Sequence, residues 1–461
     1  MSDYFNSDTI CAISTPQGNG AIAVVRLSGD KSLEIASKIF QPVGKDIPKH
    51  ATMQFGTVFY NNEILDEVML CWFQAPRSYT GEDVVEISCH GSIYIQQKLL
   101  ESLVINGARL ALPGEFTFRA YRNNKLDLAQ SEAVADLIQS ENKQSHDIAI
   151  KHLKGGYSSS IKELRDKMIN LAALFELELD FSEEDVEFAN RDEMFLLLNT
   201  IEYELDSLIK SFELGNVLKN GIPVAIIGKP NVGKSTLLNI LLNEEKAIVS
   251  DIPGTTRDAI EDVININGYL FRFIDTAGLR KATDTIEAIG IERTYEKINK
   301  AEIILHLIDL SNTDESEVFN ELKEFSEHLE DKSKKWILIG NKADEVNELP
   351  KWFKKLVDLN TIFISAKRNE NINLIIDHIS DYVEQKKMTG ATIVTNTRHY
   401  EAMLRALDSI LSVKESFANN IPTDLVAIDL RNALYHLGSI TEEVSSNDIL
   451  GEIFGSFCIG K

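Results

Sequence analysis

The spacing of hydrophobic positions changes along this chain, and the changes divide it. Up to about residue 122, apolar and polar residues alternate in short runs, as in Ile22-Ala-Val-Val-Arg-Leu27 and Val84-Val-Glu-Ile-Ser88. A period of two predicts half-buried strands, so this part reads as a small mixed α+β domain. From Leu126 the period lengthens to that of a helix. Leu128, Ala135, Leu137 and Ile138 begin an apolar stripe that continues through Ile148 and Leu153, and Gly155-Gly156 is expected to end it. A second helix is expected over about 159–175. Between Glu176 and Asp206 twelve Asp or Glu stand against one basic residue, Arg191, which reads as a solvated acidic face or loop.

A third pattern follows, made of apolar runs of strand length. Val224-Ala-Ile-Ile227, Tyr269-Leu-Phe-Arg-Phe-Ile274, Trp336-Ile-Leu-Ile339 and Thr361-Ile-Phe-Ile364 predict strands, and Ser235–Leu242 a helix behind the first of them. Helical spacing returns over Tyr400–Leu411, with Met403, Leu404 and Leu407 on one face, and over Leu425–Leu437, which Gly438 is expected to close. Helical segments on both sides of a complete α/β unit imply one helical domain with that unit inserted, joined at Leu218–Ile222 and Val383–Met388. Near the end Ile449, Leu450, Ile453 and Phe454 form an apolar helical face ahead of Phe457-Cys-Ile-Gly-Lys461.

The inserted unit carries chemistry. Gly228-Lys-Pro-Asn-Val-Gly-Lys-Ser235 fits G-x-x-x-x-G-K-[ST] between a strand and a helix, the context a phosphate-binding loop requires. Its glycines let the backbone curl so that N–H groups converge on anionic oxygens. Lys234 is expected on the β- and γ-phosphates, with the Ser235 hydroxyl on Mg²⁺. Asn341-Lys-Ala-Asp344 follows a strand and selects guanine, because the Asp344 carboxylate can accept from both N1–H and the exocyclic amine, a donor pair adenine lacks. Ser365-Ala-Lys367 is expected to supply a backbone N–H to the guanine O6, with Asn341 and Lys342 bracing the base and the phosphate loop. Asp275-Thr-Ala-Gly278 and Gly254-Thr-Thr-Arg-Asp258 read as the two switch segments, with Thr256 a second Mg²⁺ ligand. The expected nucleotide contacts are therefore Asn231, Val232, Gly233, Lys234, Ser235 and Thr236; Ser250, Asp251, Ile252, Pro253, Gly254, Thr255 and Thr256; Asp275, Thr276, Ala277 and Gly278; and Asn341, Lys342, Asp344, Ser365, Ala366 and Lys367.

Leu279 stands where Ras-like enzymes place a water-orienting Gln, and an aliphatic side chain cannot orient water. Two substitutes remain open. A monovalent cation can sit between the Asn231 carbonyl and main-chain oxygens of the 247–255 loop, or Arg257 or Arg280 can act as a finger.

Composition narrows the setting. A length of 461 residues allows about three domains. Cys11, Cys71, Cys89 and Cys458 lack C-x-x-C spacing, which argues against a zinc site or disulfide framework and suits a reducing cytoplasm. The acidic start fits no secretory or organellar signal, and no apolar run is long enough to span a membrane. A net charge of −24 disfavours a large self-sufficient nucleic-acid surface, because phosphate contacts need clustered Lys and Arg.

End to end the chain resembles the MnmE (TrmE) family of tRNA-modifying GTPases. The likeness rests on Asp8-Thr-Ile10, Thr15-Pro-Gln-Gly-Asn-Gly20, Arg26-Leu-Ser-Gly29, Tyr79-Thr-Gly-Glu-Asp-Val84, Pro113-Gly-Glu-Phe116, Asn124-Lys-Leu-Asp-Leu-Ala-Gln130, Gly254-Thr-Thr-Arg-Asp258 and the terminal Phe457-Cys-Ile-Gly-Lys461. The resemblance implies a multidomain α/β and α+β protein: a P-loop Ras-like G domain inserted into a helical domain, preceded by an α+β tetrahydrofolate-binding-like domain. The corresponding divisions are 1–122, 123–220, 221–383 and 384–461. It tips the choice of mechanism toward potassium, held by Asn231 and main-chain oxygens of Ser250, Ile252 and Thr255, and gives Glu287 a part in placing the catalytic water beside Asn231 and Lys234. It implies a folate site of Arg26, Glu86, Lys125 and Lys461, taking a tetrahydrofolate derivative in 5-formyl or methylene form.

Cys89-His-Gly91 departs from the Gly-His-Gly of some relatives, so a different pocket floor is expected. The tail is expected to point toward that pocket, with Cys458 a packed thiol rather than a reagent. The implied partners are a second copy of the chain and an FAD-containing MnmG-like protein that takes much of the tRNA contact. The implied product is an aminomethyl or carboxymethylaminomethyl group at C5 of the wobble uridine, made in the cytoplasm. A ribosome-assembly GTPase and a stand-alone folate enzyme with a regulatory G domain are the competing readings.

Overall fold

The computed structural model describes residues 8–44, 49–180, 191–244, 262–274, 288–329, 331, 334–346, 348, 361–386, 392–419, 421–441, 450, 453–455 and 457–460. The chain divides into two compact units, Met1–Gln139 with Ala149–Leu205 and Glu401–Lys461, and Ser140–Ile148 with Asp206–Tyr400.

In the first unit the alternating region forms a seven-stranded sheet in the order β3-β4-β5-β6-β2-β1-β7. Its strands are β1 (Ile10–Ile13), β2 (Ile22–Ser28), β3 (Phe40–Pro42), β4 (Met53–Tyr60), β5 (Glu63–Phe73), β6 (Val84–His90) and β7 (Arg109–Leu110). The period of two sorts the side chains. Ala23, Val25 and Leu27 of β2, with Val85, Ile87 and Cys89 of β6, join a core with Ile35, Ala36, Leu99 and Leu103 from helices α1 (Ser32–Ile39) and α2 (Ile93–Ile105). The residues between them, among them Arg26 and Glu86, take the opposite face and pair across the ladder.

Three of the segments that carry the family likeness meet in one buried ion network around α3 (Glu115–Arg122). Arg119 and Glu115 are fully buried. Arg119 donates to Glu115 and Asp8, both at 3.0 Å, and to Glu82 at 3.0 Å. Arg109 adds bonds to Asp8 at 2.6 Å and Glu115 at 2.7 Å, and Arg122 reaches Glu82 at 2.9 Å. Buried charges are tolerable only when paired and hydrogen-bonded in this way.

The helical stripe expected from Leu126 to Leu153 is two helices, α4 (Leu128–Gln139) and α5 (Lys143–Leu153). A reciprocal cap causes the break. The Ser145 N–H donates to Asn142 Oδ1 at 2.8 Å, and the Asn142 N–H to Ser145 Oγ at 3.4 Å. Gly156 begins α6 (Gly156–Asp180) rather than ending a helix, so the expected 159–175 helix is longer at both ends. The described part of the acidic stretch is helix, the end of α6 and the start of α7 (Arg191–Asn220), not loop. Met194, Leu198, Ile201 and Leu205 bury one stripe of α7 while Asp192 and Glu193 face out. Glu204 pairs with Lys167 and Glu202 with Lys414. Arg191, the one base, lies over the Phe417 ring at 4.4 Å.

The second unit is a six-stranded sheet in the order β13-β12-β11-β8-β10-β9. Its strands are β8 (Ile222–Ile227), β9 (Asp262–Ile266), β10 (Tyr269–Phe273), β11 (Ile303–Asp309), β12 (Lys335–Asn341) and β13 (Ile362–Phe363). β8 pairs in parallel with β10 and β11, and β12 in parallel with β11 and β13; β9 alone is antiparallel. Every residue of β11 is buried, as expected of a central strand covered on both faces. Only Ile362 and Phe363 of the run at 361–364 form a strand. The helices are α8 (Lys234–Glu244), α9 (Ala288–Lys300), α10 (Glu315–Glu324), α11 (Ser326–Leu329) and α12 (Ile372–Lys386).

Two helices follow, α13 (Thr397–Ala418) and α14 (Thr423–Thr441). α14 runs through Gly438, against expectation; a Cβ there would meet Arg165 Nε of α6 at 3.6 Å, an ordinary contact. The two passages of chain into and out of the sheet unit are pinned together. The Val394 N–H donates to Ser211 Oγ at 3.0 Å, and Phe212 stacks on Tyr400 at 4.3 Å. Gly215 makes this approach possible in mid-helix, since a Cβ would lie 1.9 Å from the Val394 carbonyl oxygen. Among the described residues, no helix is long and apolar enough to cross a membrane.

Candidate active site

The phosphate loop leaves the C-terminal end of β8, beside β10 and β11, the place in an open parallel sheet where ligands bind. Its shape needs residues at positive φ: Gly228 at 138°, Asn231 at 62° and Gly233 at 102°. A Cβ on Gly233 would lie 2.2 Å from Asn341 Nδ2, so only glycine lets the base-binding strand end approach the loop. Val232 is buried beneath the loop, while Lys229, Pro230 and Asn231 are exposed and Ser235 is half-buried at the head of α8. Lys234 Nζ donates to the carbonyls of Gly228 and Lys229, both at 2.7 Å. Burial, with Lys297 adding like charge and Glu321 opposing it, pulls the Lys234 ammonium down to about 8.

Asn341 binds the loops into one site. It is buried at the end of β12. Its Nδ2 donates to the Val232 carbonyl at 2.7 Å, and its Oδ1 accepts from the Ala366 N–H at 3.0 Å. Asn341 thus joins the phosphate loop to the Ser365-Ala-Lys367 loop. The Ala366 N–H, offered by the sequence to guanine O6, is engaged by Asn341 in this state. Asp344 accepts from Ser365 Oγ at 2.6 Å and faces Arg368 at 3.4 Å. The serine hydrogen bond, then the nearby cations, holds its carboxyl below the usual range. Lys342, in a left-handed conformation, reaches Asp309 at 2.5 Å. Burial raises Asp309, but the bonds from Lys342 and Ser311 outweigh it and leave the carboxyl lowered. Asp309 was not anticipated, although an acid closing the largely apolar run Ile303–Ile308, broken only by His306, is readable as a strand-end anchor. Thr236 and Lys367 are exposed at the rim. Ser250, Asp251, Ile252, Pro253, Gly254, Thr255, Thr256, Asp275, Thr276, Ala277, Gly278 and Glu287 lie outside the described residues, as do Arg257, Leu279 and Arg280.

On the N-terminal sheet, Arg26 and Glu86 pair with each other at 2.8 Å. The Arg26 guanidinium lies 5.4 Å from the Tyr79 ring centroid and 5.7 Å from that of Phe116. Lys125 donates to the Pro76 carbonyl at 3.1 Å and borders a cleft of about 540 Å³ with Tyr121, Asn124, Asp127, Gln130 and Thr441. The tail reaches the same sheet: Ser14 Oγ donates to the Gly460 carbonyl at 3.1 Å, and the Gly114 N–H to that of Cys458 at 3.4 Å, but the Cys458 side chain is exposed, not packed as expected. Ser14 follows β1, whose Ala12 is paired with Arg26. Lys461 lies outside the described residues. Cys89 is buried in the core, and burial pushes its thiol up to about 11; Cys11 is likewise raised to about 12.

A phosphate loop heading a parallel sheet, tied by one asparagine to an N-K-x-D strand end, defines a GTPase of the P-loop class. Comparison with known proteins makes this specific. A family model of the MnmE helical domain matches residues 128–458, and one of the GTP-binding protein TrmE N-terminus matches residues 9–125. The chain is 50% identical over 460 residues to the tRNA modification GTPase MnmE of Flavobacterium psychrophilum, covering 98% of this chain and 99% of the relative. It is 49% identical over 466 residues to that of Flavobacterium johnsoniae, covering 99% and 100%. It is 46% identical over 470 residues to that of Porphyromonas gingivalis, covering 99% of each. The chain belongs to the MnmE family of tRNA modification GTPases.

Proposed function

We propose that this chain is a potassium-activated GTPase that modifies tRNA. With an FAD-containing MnmG-like partner it installs an aminomethyl or carboxymethylaminomethyl group at C5 of the wobble uridine, using a one-carbon unit from tetrahydrofolate. GTP hydrolysis supplies conformational drive rather than the alkylating chemistry. The observation that carries the reading is Asn341, whose one side chain joins the phosphate loop to the Ser365-Ala-Lys367 loop, in a chain whose relatives are named for this activity along their whole length.

The donor set suits hard cations, being oxygen throughout. Ser235 and Thr256 would hold Mg²⁺, and Asn231 with the main chain of Ser250, Ile252 and Thr255 would hold K⁺, on the exposed outer side of the loop where Asn231 stands. Bound there, the cations supply positive charge to phosphate oxygens. The chain's own residues do the rest. Lys234 leaves two backbone carbonyls for the phosphates, Asp344 reads the base, and Glu287 places water. Arg26, Glu86, Lys125 and Lys461 form the folate site: Glu86 can read the N–H edge of a pterin, and the cations suit the anionic glutamyl tail. The fourfold division 1–122, 123–220, 221–383 and 384–461, a homodimer and a cytoplasmic setting complete the proposal.

Reconstitution with the flavoprotein, unmodified tRNA, GTP and a folate, followed by nucleoside analysis, tests it. New C5-substituted uridine is the expected result; its absence from the complete mixture overturns the reading. Equal GTP turnover in potassium and sodium at matched ionic strength removes the cation mechanism.

A further inference from the structure

The two switch segments lie at the two ends of one hairpin in the chain, before β9 and after β10. This hairpin occupies the edge of the sheet, with β9 outermost, and β10 is joined to β8 over three register pairs, from Phe271↔Ile222 to Phe273↔Val224. An edge hairpin so lightly joined is a suitable moving part. Its far end is the Asn267-Gly268 turn, with both residues at positive φ. Here the hairpin is fastened to the last turns of α12. Asn267 Nδ2 donates to Ser380 Oγ at 3.1 Å, and the hydroxyl of buried Tyr269 donates to Glu384 Oε1 at 2.6 Å. On another side, a Cβ at Gly268 would lie 3.5 Å from Lys143 Cβ, in the first turn of α5.

The surrounding core joins the same elements. Ile266 and Tyr269 of the hairpin share it with Ile148 of α5, Leu218 of α7 and Val383 of α12; Leu214, Val217, Tyr382 and Ile393 pack against it. α5 and α7 are continuous helices that each run on into the other compact unit. Ile393 precedes Val394, which is pinned to Ser211 of α7. The turn of the switch hairpin thus meets the segments through which the chain leaves this unit.

We propose that this turn is the output end of the switch. The Tyr269–Glu384 and Asn267–Ser380 bonds form a latch that passes a displacement of the β9–β10 hairpin to α12, α5 and the C-terminal half of α7. Nucleotide enters at one end of the hairpin, and the rest of the protein is moved from the other. The latch rests on the proposed role of GTP turnover as conformational drive.

Amide hydrogen exchange on the full-length chain tests it, comparing the nucleotide-free protein with a complex of GDP and aluminium fluoride. In the unaltered chain, nucleotide changes exchange over 143–153 and 206–220. In Tyr269→Phe and Glu384→Ala that change falls by about fivefold, the effect of losing one hydrogen bond from a two-state balance. GTP turnover stays within about twofold of the unaltered rate, because neither residue touches nucleotide. Should Tyr269→Phe fold poorly, Ser380→Ala tests the second bond, removing the hydroxyl that accepts from Asn267 and leaving the turn residues unchanged. A full nucleotide-dependent change in all these variants overturns the latch alone. Absence of any change at these segments in the unaltered chain overturns the drive reading and the latch with it.

Discussion

Lys234 and Arg119 are both long cations held inside the protein, and their surroundings differ. Arg119 is fully buried among Asp8, Glu82 and Glu115, each within 3.0 Å. Among the described residues Lys234 has no carboxylate hydrogen-bonded to it; two carbonyls of its own loop hold it, and its ammonium is pulled down to about 8. Neutral carbonyls cannot compensate a buried charge as carboxylates can. The N-terminal network pairs its cations with carboxylates, although the buried Arg119 Nε has no hydrogen-bond partner among the described residues. The phosphate loop offers its cation carbonyls, and an anionic phosphate would be the stronger partner. A charged motif alone does not separate these cases; its partners do.

The comparison breaks first at Arg119. Arg119→Ala strands buried carboxylates and is expected to cost about 3–5 kcal/mol of stability, measured by denaturant unfolding, while nucleotide affinity stays unchanged. A loss below about 1 kcal/mol would mean that the network behaves as surface charge. Next is Asp344→Asn, which exchanges an acceptor for a donor. Its affinity for GTP should fall by about 1,000-fold and its affinity for XTP rise, with the unfolding midpoint unmoved; calorimetric titration with both nucleotides decides. Gly233→Ala forces a methyl against Asn341 and should weaken GTP about 30-fold, readable with a fluorescent analogue.

The smallest effect is on pH. Lys234 ordinarily titrates at 10.5 and here near 8, so above pH 8 the empty site has lost the proton that an anion requires. GTP affinity should fall as pH rises through 8, by up to about tenfold per unit, with proton uptake on binding seen as buffer-dependent calorimetric heat. Stability should move the other way. Between pH 8 and 10.5 the unfolded chain holds more protons at this lysine, so its contribution to folding rises with pH.

The sequence was most legible where one residue type has one physical use. The apolar runs at 224–227, 269–274 and 336–339 became β8, β10 and β12, and the glycine spacing of the phosphate loop translated directly into positive φ. It was least legible where the outcome turns on a tertiary neighbour. Asn142 looks like any polar residue in a helical stripe until Ser145 answers it. Gly438 reads as a helix stop, but α14, packed along α6, runs through it to Thr441. Arg26 and Glu86 were readable as separate folate contacts, but not as each other's partner. The Asn-Gly pair at 267–268, a strong hairpin signal, went unused and would have located the turn.

One consequence follows from Gly215, which lets Val394 cross α7 at backbone distance. The segment 215–394 thus begins and ends at one spot. A short linker placed across its two ends would hold them where this crossing already does.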